Sequence, residues 1–158
     1  MNRTRHDLAP KLRRAMIDLL NASLVDAVDL WNHAKGAHWN VRGPAFIAVH
    51  ELFDKVAGQA EQFADDLAER SVALGGVAAA DARIQAKFSH LPPLPEGTLR
   101  QARALQAVAD SLAEFGRRVR KAIDVADEAG DAGTADLFTQ ISRETDKLLW
   151  FIEAHEER

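Results

Sequence analysis

The side chains able to hold a metal ion crowd into one stretch. His33, His38, His50, Asp54, Glu61, Asp65, Asp66 and Glu69 all fall within residues 33–69. Two pairs have i, i+4 spacing: His50 with Asp54, and Asp65 with Glu69. On a helix such a pair lies on one face, one turn apart, and can share an ion. Imidazole nitrogen with carboxylate oxygen suits iron(II), manganese or zinc. With His50 at zero and about 100° per residue, Asp54 falls near 40°, Asp65 near 60° and Glu69 near 100°. All four share one quadrant. Asp54 and Asp65 nevertheless stand eleven residues apart, roughly 16 Å along the axis, so one straight helix cannot bring both pairs to one ion.

Three arrangements remain open. The pairs are unrelated surface features, or they are two poor sites each short of ligands. Or two copies of the helix pack antiparallel about a two-fold axis, so that His50 and Asp54 of one chain face Asp65 and Glu69 of the other. A two-fold interface makes two such shared sites at once, and only this arrangement completes the coordination. His38 is placed to join His50 as a second nitrogen ligand. A lone His/Asp pair at this spacing is most often a surface interaction; two pairs in phase on one helix argue for metal. His33 reads as structural or solvated. His90, in a proline-rich loop, and His155, near the C-terminus, have no matching acids and read as exposed. His6 lies in a stretch that reads as a mobile tail.

Other chemistries find no support. His50-Glu51 is followed by Asp54, so HExxH is not met, and no Glu-x-x-His occurs. The second absence disfavours a di-iron centre inside a single four-helix bundle. There is no GxGxxG or Walker-type loop. Ser23, Ser71, Ser89, Ser111 and Ser142 lack a nucleophile's surroundings.

The elements that must position the site are cut out by glycine and proline. Breaks fall at Gly43-Pro44, Gly75-Gly76, Pro92 to Pro95 and Asp131-Ala132-Gly133. The first helix runs from about Asp7 to Asn40. Its stripe Leu12, Met16, Leu19, Ala27, Leu30 and Ala34 lies beside a second, Ile17, Leu20, Leu24, Val28 and Trp31. That arc is wide, so the helix is expected to be buried on two sides. The second helix starts at Pro44 and stops at Gly75-Gly76, with Leu52, Val56, Phe63 and Leu67 inward. The third follows a capping box from Thr98 to Gln101 and carries Leu105, Val108, Leu112, Phe115, Val119, Ile123 and Ala126. The fourth has Thr134 as N-cap and Leu137, Phe138, Ile141, Leu148, Leu149 and Ile152 as its stripe.

Nothing reads as a strand. The fold class is all-α: a four-helix bundle with a short extra helix, about Ala80 to Phe88 and capped by Asp81, in the long connection between helices 2 and 3. Such a connection can cross the bundle, which makes those helices parallel and the topology ferritin-like. One domain is expected over residues 1–158, with 1–8 a mobile basic tail.

Composition bounds the rest. The 158 residues, 47% hydrophobic and 28% charged, are ordinary for a globular domain. The absence of cysteine excludes disulfides and thiol catalysis, and is compatible with a reducing cytosol. No 18-residue apolar run is present, so no membrane span is expected. The opening MNRTRHDLAP has no apolar core, so no secretory signal is expected. The net charge of −4 hides a split. Residues 1–14 carry Arg3, Arg5, Lys11, Arg13 and Arg14 against Asp7, a net +4, and the remaining 15 bases and 23 acids give −8.

The stretches Ala37-His38-Trp39-Asn40-Val41-Arg42-Gly43-Pro44, Phe46 to Asp54, Asp65 to Arg70 with Leu74-Gly75-Gly76, and Ala135 to Glu153 resemble the Dps family, the DNA-binding proteins from starved cells or miniferritins. The resemblance covers nearly the whole chain, and the steps of 12, 4, 11 and 4 residues from His38 to Glu69 match without a gap. It implies a hollow homododecamer with iron ferroxidase centres at two-fold interfaces. His38, His50 and Asp54 would come from one subunit, and Asp65 and Glu69 from its mate, around a dinuclear iron site. Trp39 would lie beside the centre as an early electron donor. The activity implied is oxidation of iron(II), preferably by hydrogen peroxide, with ferric mineral stored in the cavity and DNA spared oxidative damage. The location implied is the cytoplasm and its nucleoid. Where some relatives line an iron-entry pore with successive acids, Asp136 matches, while Ala132 and Gly133 do not. Relatives that bind DNA use a lysine-rich N-terminal tail; here Arg3, Arg5, Lys11, Arg13 and Arg14 are the candidates for non-specific phosphate contact. The alternative function is a nucleoid-compacting protein with little turnover of iron.

Overall fold

Pro10, which cannot donate a backbone hydrogen bond and suits a first helical position, opens the first helix. The computed structural model describes residues 1–155; the last three residues of the expected 1–158 domain lie outside the described residues. The elements are α1 (Pro10–Asn40), β1 (Val41–Arg42), α2 (Phe46–Ala73), α3 (Ala82–Phe88), β2 (Leu99–Arg100), α4 (Gln101–Glu128) and α5 (Ala132–Glu153). Helix α1 packs along α2 and α4 along α5, with α1 against α4 and α2 against α5 closing the bundle. The inward stripes meet in one core, where Phe53, Phe63, Phe115 and Phe138 are fully buried. Each such ring contributes about 1.5–3 kcal/mol by leaving water. Phe63 and Phe115 stack across the bundle with ring centroids 5.9 Å apart.

The direction of the helices follows from a ladder too short to show in the sequence. Val41 pairs with Leu99 and Arg42 with Arg100 in parallel register. β1 leads into α2 and β2 leads into α4, so these two helices start at the same end and run parallel. The chain from Leu74 to Thr98 therefore returns along the bundle, with α3 part-way. The side chain of Asp81 caps α3 by accepting from the N–H groups of Arg83 and Ile84, as its position predicts.

Both helix ends that carry glycine close in the same way. At the end of α2, Gly75 takes φ +90°, its N–H donates to Val72 O, and that of Gly76 donates to Ser71 O. This is a Schellman motif. At the end of α4, Gly130 takes φ +84°, and Gly130 and Asp131 donate to Asp127 O and Ala126 O. The break between the last two helices thus begins at Gly130.

Three expected starts differ. Helix α2 opens at Phe46 rather than Pro44, because the Gly43 carbonyl accepts from Phe46 N–H and holds the chain in a turn. No capping box forms at Thr98. The N-cap of α4 is Arg100, without a side-chain cap, because Gln101 spends its Oε1 on the Ala45 N–H, 2.9 Å away. Thr134 is not the N-cap of α5. Asp131 is, accepting from Thr134 N–H.

The basic N-terminus is not a free tail. The Asn2 N–H donates to Gly75 O at 2.6 Å, and the Asn2 amide donates to Gly76 O. Arg13 is buried, and its guanidinium donates to Leu74 O and Leu8 O. A cation there meets the unpaired carbonyls at the end of α2. Arg13 therefore spends its guanidinium on backbone carbonyls within the fold, unlike the exposed Arg3, Arg5, Lys11 and Arg14.

Candidate metal centre

The turn between α1 and α2 sets His38 against His50. The His38 carbonyl lies in the last turn of α1, where helix carbonyls lack an intrahelical partner. His50 fills that vacancy, its Nδ1 donating to His38 O at 2.9 Å. In return His38 Nδ1 donates to His50 O at 2.8 Å. The two rings stack, with centroids 3.6 Å apart. A carbonyl oxygen only accepts, so both Nδ1 atoms carry the proton. Both Nε2 atoms therefore keep a lone pair for a ligand. A second hydrogen bond that fixes the tautomer is the usual support of a metal-binding imidazole.

Asp54 stands one turn along α2, its Oδ1 4.0 Å from His38 Nδ1. Its carboxyl is held below the usual range, first by a hydrogen bond from Lys35 and then by the Lys35 charge, against desolvation. Lys35 Nζ lies 2.7 Å from Oδ1 and 5.7 Å from the centroid of the Trp39 ring. Sequence reasoning missed Lys35, although its position three residues before His38 puts both on one face of α1.

Asp65 and Glu69 are brought to neither histidine. Asp65 lines a groove with Leu24, Gly58 and Glu61. Glu69 lines another with Asp66, Arg70, Leu137 and Gln140. The structure thus joins His38, His50 and Asp54, and leaves the second carboxylate pair about three to four helical turns beyond Asp54. Among the described residues, no three His, Asp or Glu side chains of one chain are placed to hold an ion. Beside the histidines, Trp39 is 67% exposed, Ile47 62% and Phe46 40%, an apolar patch left bare in the single chain.

The other candidates fall out as follows. Asp136 is exposed on α5, as are Ala132 and Gly133. Asp131 is buried under Arg70, with Nη2 at 2.8 Å from Oδ1, while the Thr134 hydroxyl donates to Oδ2 at 2.6 Å. Burial works to raise the Asp131 carboxyl, but the Thr134 hydroxyl and N–H, helped by Arg70, bring it below its ordinary value. Gly133 leaves room for this fork: a Cβ there would meet Arg70 Nη2 at 3.1 Å. Arg3, Arg5, Lys11 and Arg14 are exposed.

Two histidines find partners across the fold. His33 is buried, as a structural residue should be, with Nδ1 2.9 Å from the Ser111 hydroxyl and Nε2 3.5 Å from Asp29. Desolvation lowers its pKa against the pull of Asp29. His90 is exposed, as expected, but it does have an acid as partner. Its N–H donates to buried Asp26, and its Nδ1 lies 3.1 Å from the same oxygen. Arg118 Nε donates to the other oxygen of Asp26.

Comparison with known proteins agrees with this fold. A family model described as a ferritin-like domain matches residues 17–158. A DNA protection during starvation protein of Agrobacterium fabrum is 42% identical over 98% of this chain and 95% of its own length. The solved structure of Dps from Microbacterium arborescens in the high iron form superposes with TM-score 0.88 at 33% identity, covering 93% of this chain and 95% of that one. DpsC from Streptomyces coelicolor superposes with TM-score 0.93 at 30% identity, covering 98% and 90%. A ferritin-like bundle, a histidine pair pre-set at the α1–α2 turn and these likenesses have one common explanation: the chain belongs to the Dps family of ferritin-like proteins.

Proposed function

We propose that the protein oxidises iron(II), its substrate, with hydrogen peroxide and stores the ferric product as mineral inside a hollow dodecamer. The observation that carries this reading is the reciprocal His38–His50 lock, which commits both Nδ1 atoms to backbone carbonyls and leaves both Nε2 atoms for a ligand, with the Asp54 carboxylate 4.0 Å from His38 Nδ1. Two copies of α2, antiparallel about a two-fold axis, would set this half-site against Asp65 and Glu69 of the other copy. The bare Trp39, Phe46 and Ile47 beside it support a partner covering that face, since exposed apolar patches mark interaction surfaces. The named relatives, one described in a high iron form and another as a DNA protection during starvation protein, support iron storage and DNA protection here, in the cytoplasm at the nucleoid.

The ligand set suits the reaction. Imidazole holds iron(II), and the three carboxylates favour the harder iron(III) product. Two iron(II) ions give one electron each, and the peroxide O–O bond breaks. With two waters the balance is two FeOOH and four protons. Trp39 stands by to supply an electron when only one iron is bound. Asp136 would draw iron inward through a pore less acidic than in some relatives. The exposed Arg3, Arg5, Lys11 and Arg14 would supply non-specific contacts to DNA phosphates, multiplied by assembly.

The test is the Asp65→Ala/Glu69→Ala double variant. Native mass should still give the parent assembly, and peroxide-driven formation of ferric absorbance should nearly vanish. A variant that oxidises iron at the parent rate refutes the site.

A further inference from the structure

The two-residue ladder creates an arrangement that the iron reading does not use. Val41 and Leu99 are buried at 2% and 1%, so strand alternation sends their neighbours Arg42 and Arg100 outward on the same side. The two are in register, on backbones about 4.8 Å apart, so their stems leave the surface side by side. Like charges directly opposite one another on a sheet destabilise it. Some other arginines have carboxylate acceptors: Arg70 has Asp131, Arg118 has Asp26 and Arg120 has Asp146. Among the described residues, the guanidinium of neither Arg42 nor Arg100 has such a partner.

The pair borders a groove of about 690 Å³. Its remaining polar walls are Gln101, Gln106 and His155, and no described Asp or Glu lines it. His155 commits Nδ1 to Phe151 O, which leaves Nε2 free. In a chain of net charge −4, a groove with no acid among its described walls and two guanidinium groups without a described partner is set up for an anion.

We propose that Arg42 and Arg100 form a binding site for a phosphate-type oxyanion. Each guanidinium presents a planar fork that matches two oxygens of one phosphate, and two adjacent forks can hold a single tetrahedral anion. Binding removes the repulsion that the ladder imposes. The same chemistry has two sources, free inorganic phosphate and the phosphodiester backbone of nucleic acid. The site shares no residue with the histidine centre or with the N-terminal cations.

The test uses the full-length protein and the Arg42→Gln/Arg100→Gln variant. Inorganic phosphate is titrated calorimetrically at fixed ionic strength, with chloride as the balancing salt. A short DNA duplex is titrated across a salt series. An Arg3→Gln/Arg5→Gln variant serves as control and should bind phosphate like the parent. Loss of phosphate affinity alone, by about ten-fold or more for charge-assisted hydrogen bonds, identifies free phosphate as the ligand. Weaker duplex binding, with a salt slope flattened by about two, identifies the nucleic-acid backbone. Thermal stability without phosphate should not fall, because no internal partner is lost. If the glutamine pair does not assemble, Arg42→Lys/Arg100→Lys, which keeps the charge and loses the fork, is read in its place. Parent-like affinity for both phosphate and duplex overturns the site.

Discussion

Lys35 Nζ stands 2.7 Å from Oδ1 of Asp54, so a carboxylate suited to a dication already holds a cation. Iron must displace the ammonium or share the oxygen with it. Lys35 is three-quarters buried or more, and Asp54 is half-exposed, so the pair is neither locked nor fully screened. We expect Lys35→Gln to bind cobalt(II), a redox-silent stand-in for iron(II), on the order of two- to five-fold more tightly, as an exposed ion pair allows. Anaerobic titration of cobalt absorbance measures it. Equal or weaker binding would show that Lys35 supports the site instead of competing for it.

Complementation tests the division of ligands between subunits. Cages of Asp65→Ala/Glu69→Ala and of His38→Ala/His50→Ala are each expected to be inactive. Dissociated, mixed and reassembled, they should regain part of the parent oxidation rate. Mixed two-fold pairs carry one intact site and one lacking every altered ligand. Mixed cages proven by mass yet without recovered activity would exclude ligands shared across the interface.

His33 makes stability depend on pH. Its folded pKa lies below the ordinary value of 6.5 because burial disfavours the imidazolium. The unfolded chain then binds more protons in that range, so stability is full above about pH 6.5 and is lost as pH falls through the folded pKa. His33→Gln should flatten the fall in thermal midpoint between about pH 7.5 and pH 5.5. A variant with the parent's slope would assign the pH dependence to another group.

Asp131 joins α5 to α2 through one carboxylate. It caps α5, receives the Thr134 hydroxyl and pairs with Arg70 of α2. Asp131→Ala should cost about 0.5–2 kcal/mol for the cap alone. Denaturant unfolding measures this, and a loss well under that range would show that water replaces the cap. Asp131→Asn should recover part of it, since the amide oxygen can still accept from Thr134 N–H.

Periodic features of the fold were legible, and long-range partnerships were not. His50/Asp54 and Asp65/Glu69 show their shared face because a helix repeats every 3.6 residues. Asp81 announces α3 because a cap acts on its own first turn. Nothing local marks Arg13 as buried; it looks like one more cation in a basic run until Leu74 supplies an acceptor 61 residues away. Asp26 meets His90 across 64 residues and Arg118 across 92, so no spacing rule reaches it. The capping box misled because Gln101 had a better use on another helix. Within the site, His38 and His50 could be proposed from their types. Their mutual lock depends on how the turn at Gly43-Pro44 closes, and that appears only in three dimensions.

The α1–α2 turn also bears on the order of events during folding. His38, His50 and Asp54 all belong to one helical hairpin, so their half of the centre needs only a short loop to close. The ladder that joins β1 to β2 comes from positions far apart in the chain and closes late by comparison. The histidine half-site can therefore take shape before the second hairpin docks, and a divalent ion added to refolding protein should speed formation of the first hairpin more than closure of the bundle.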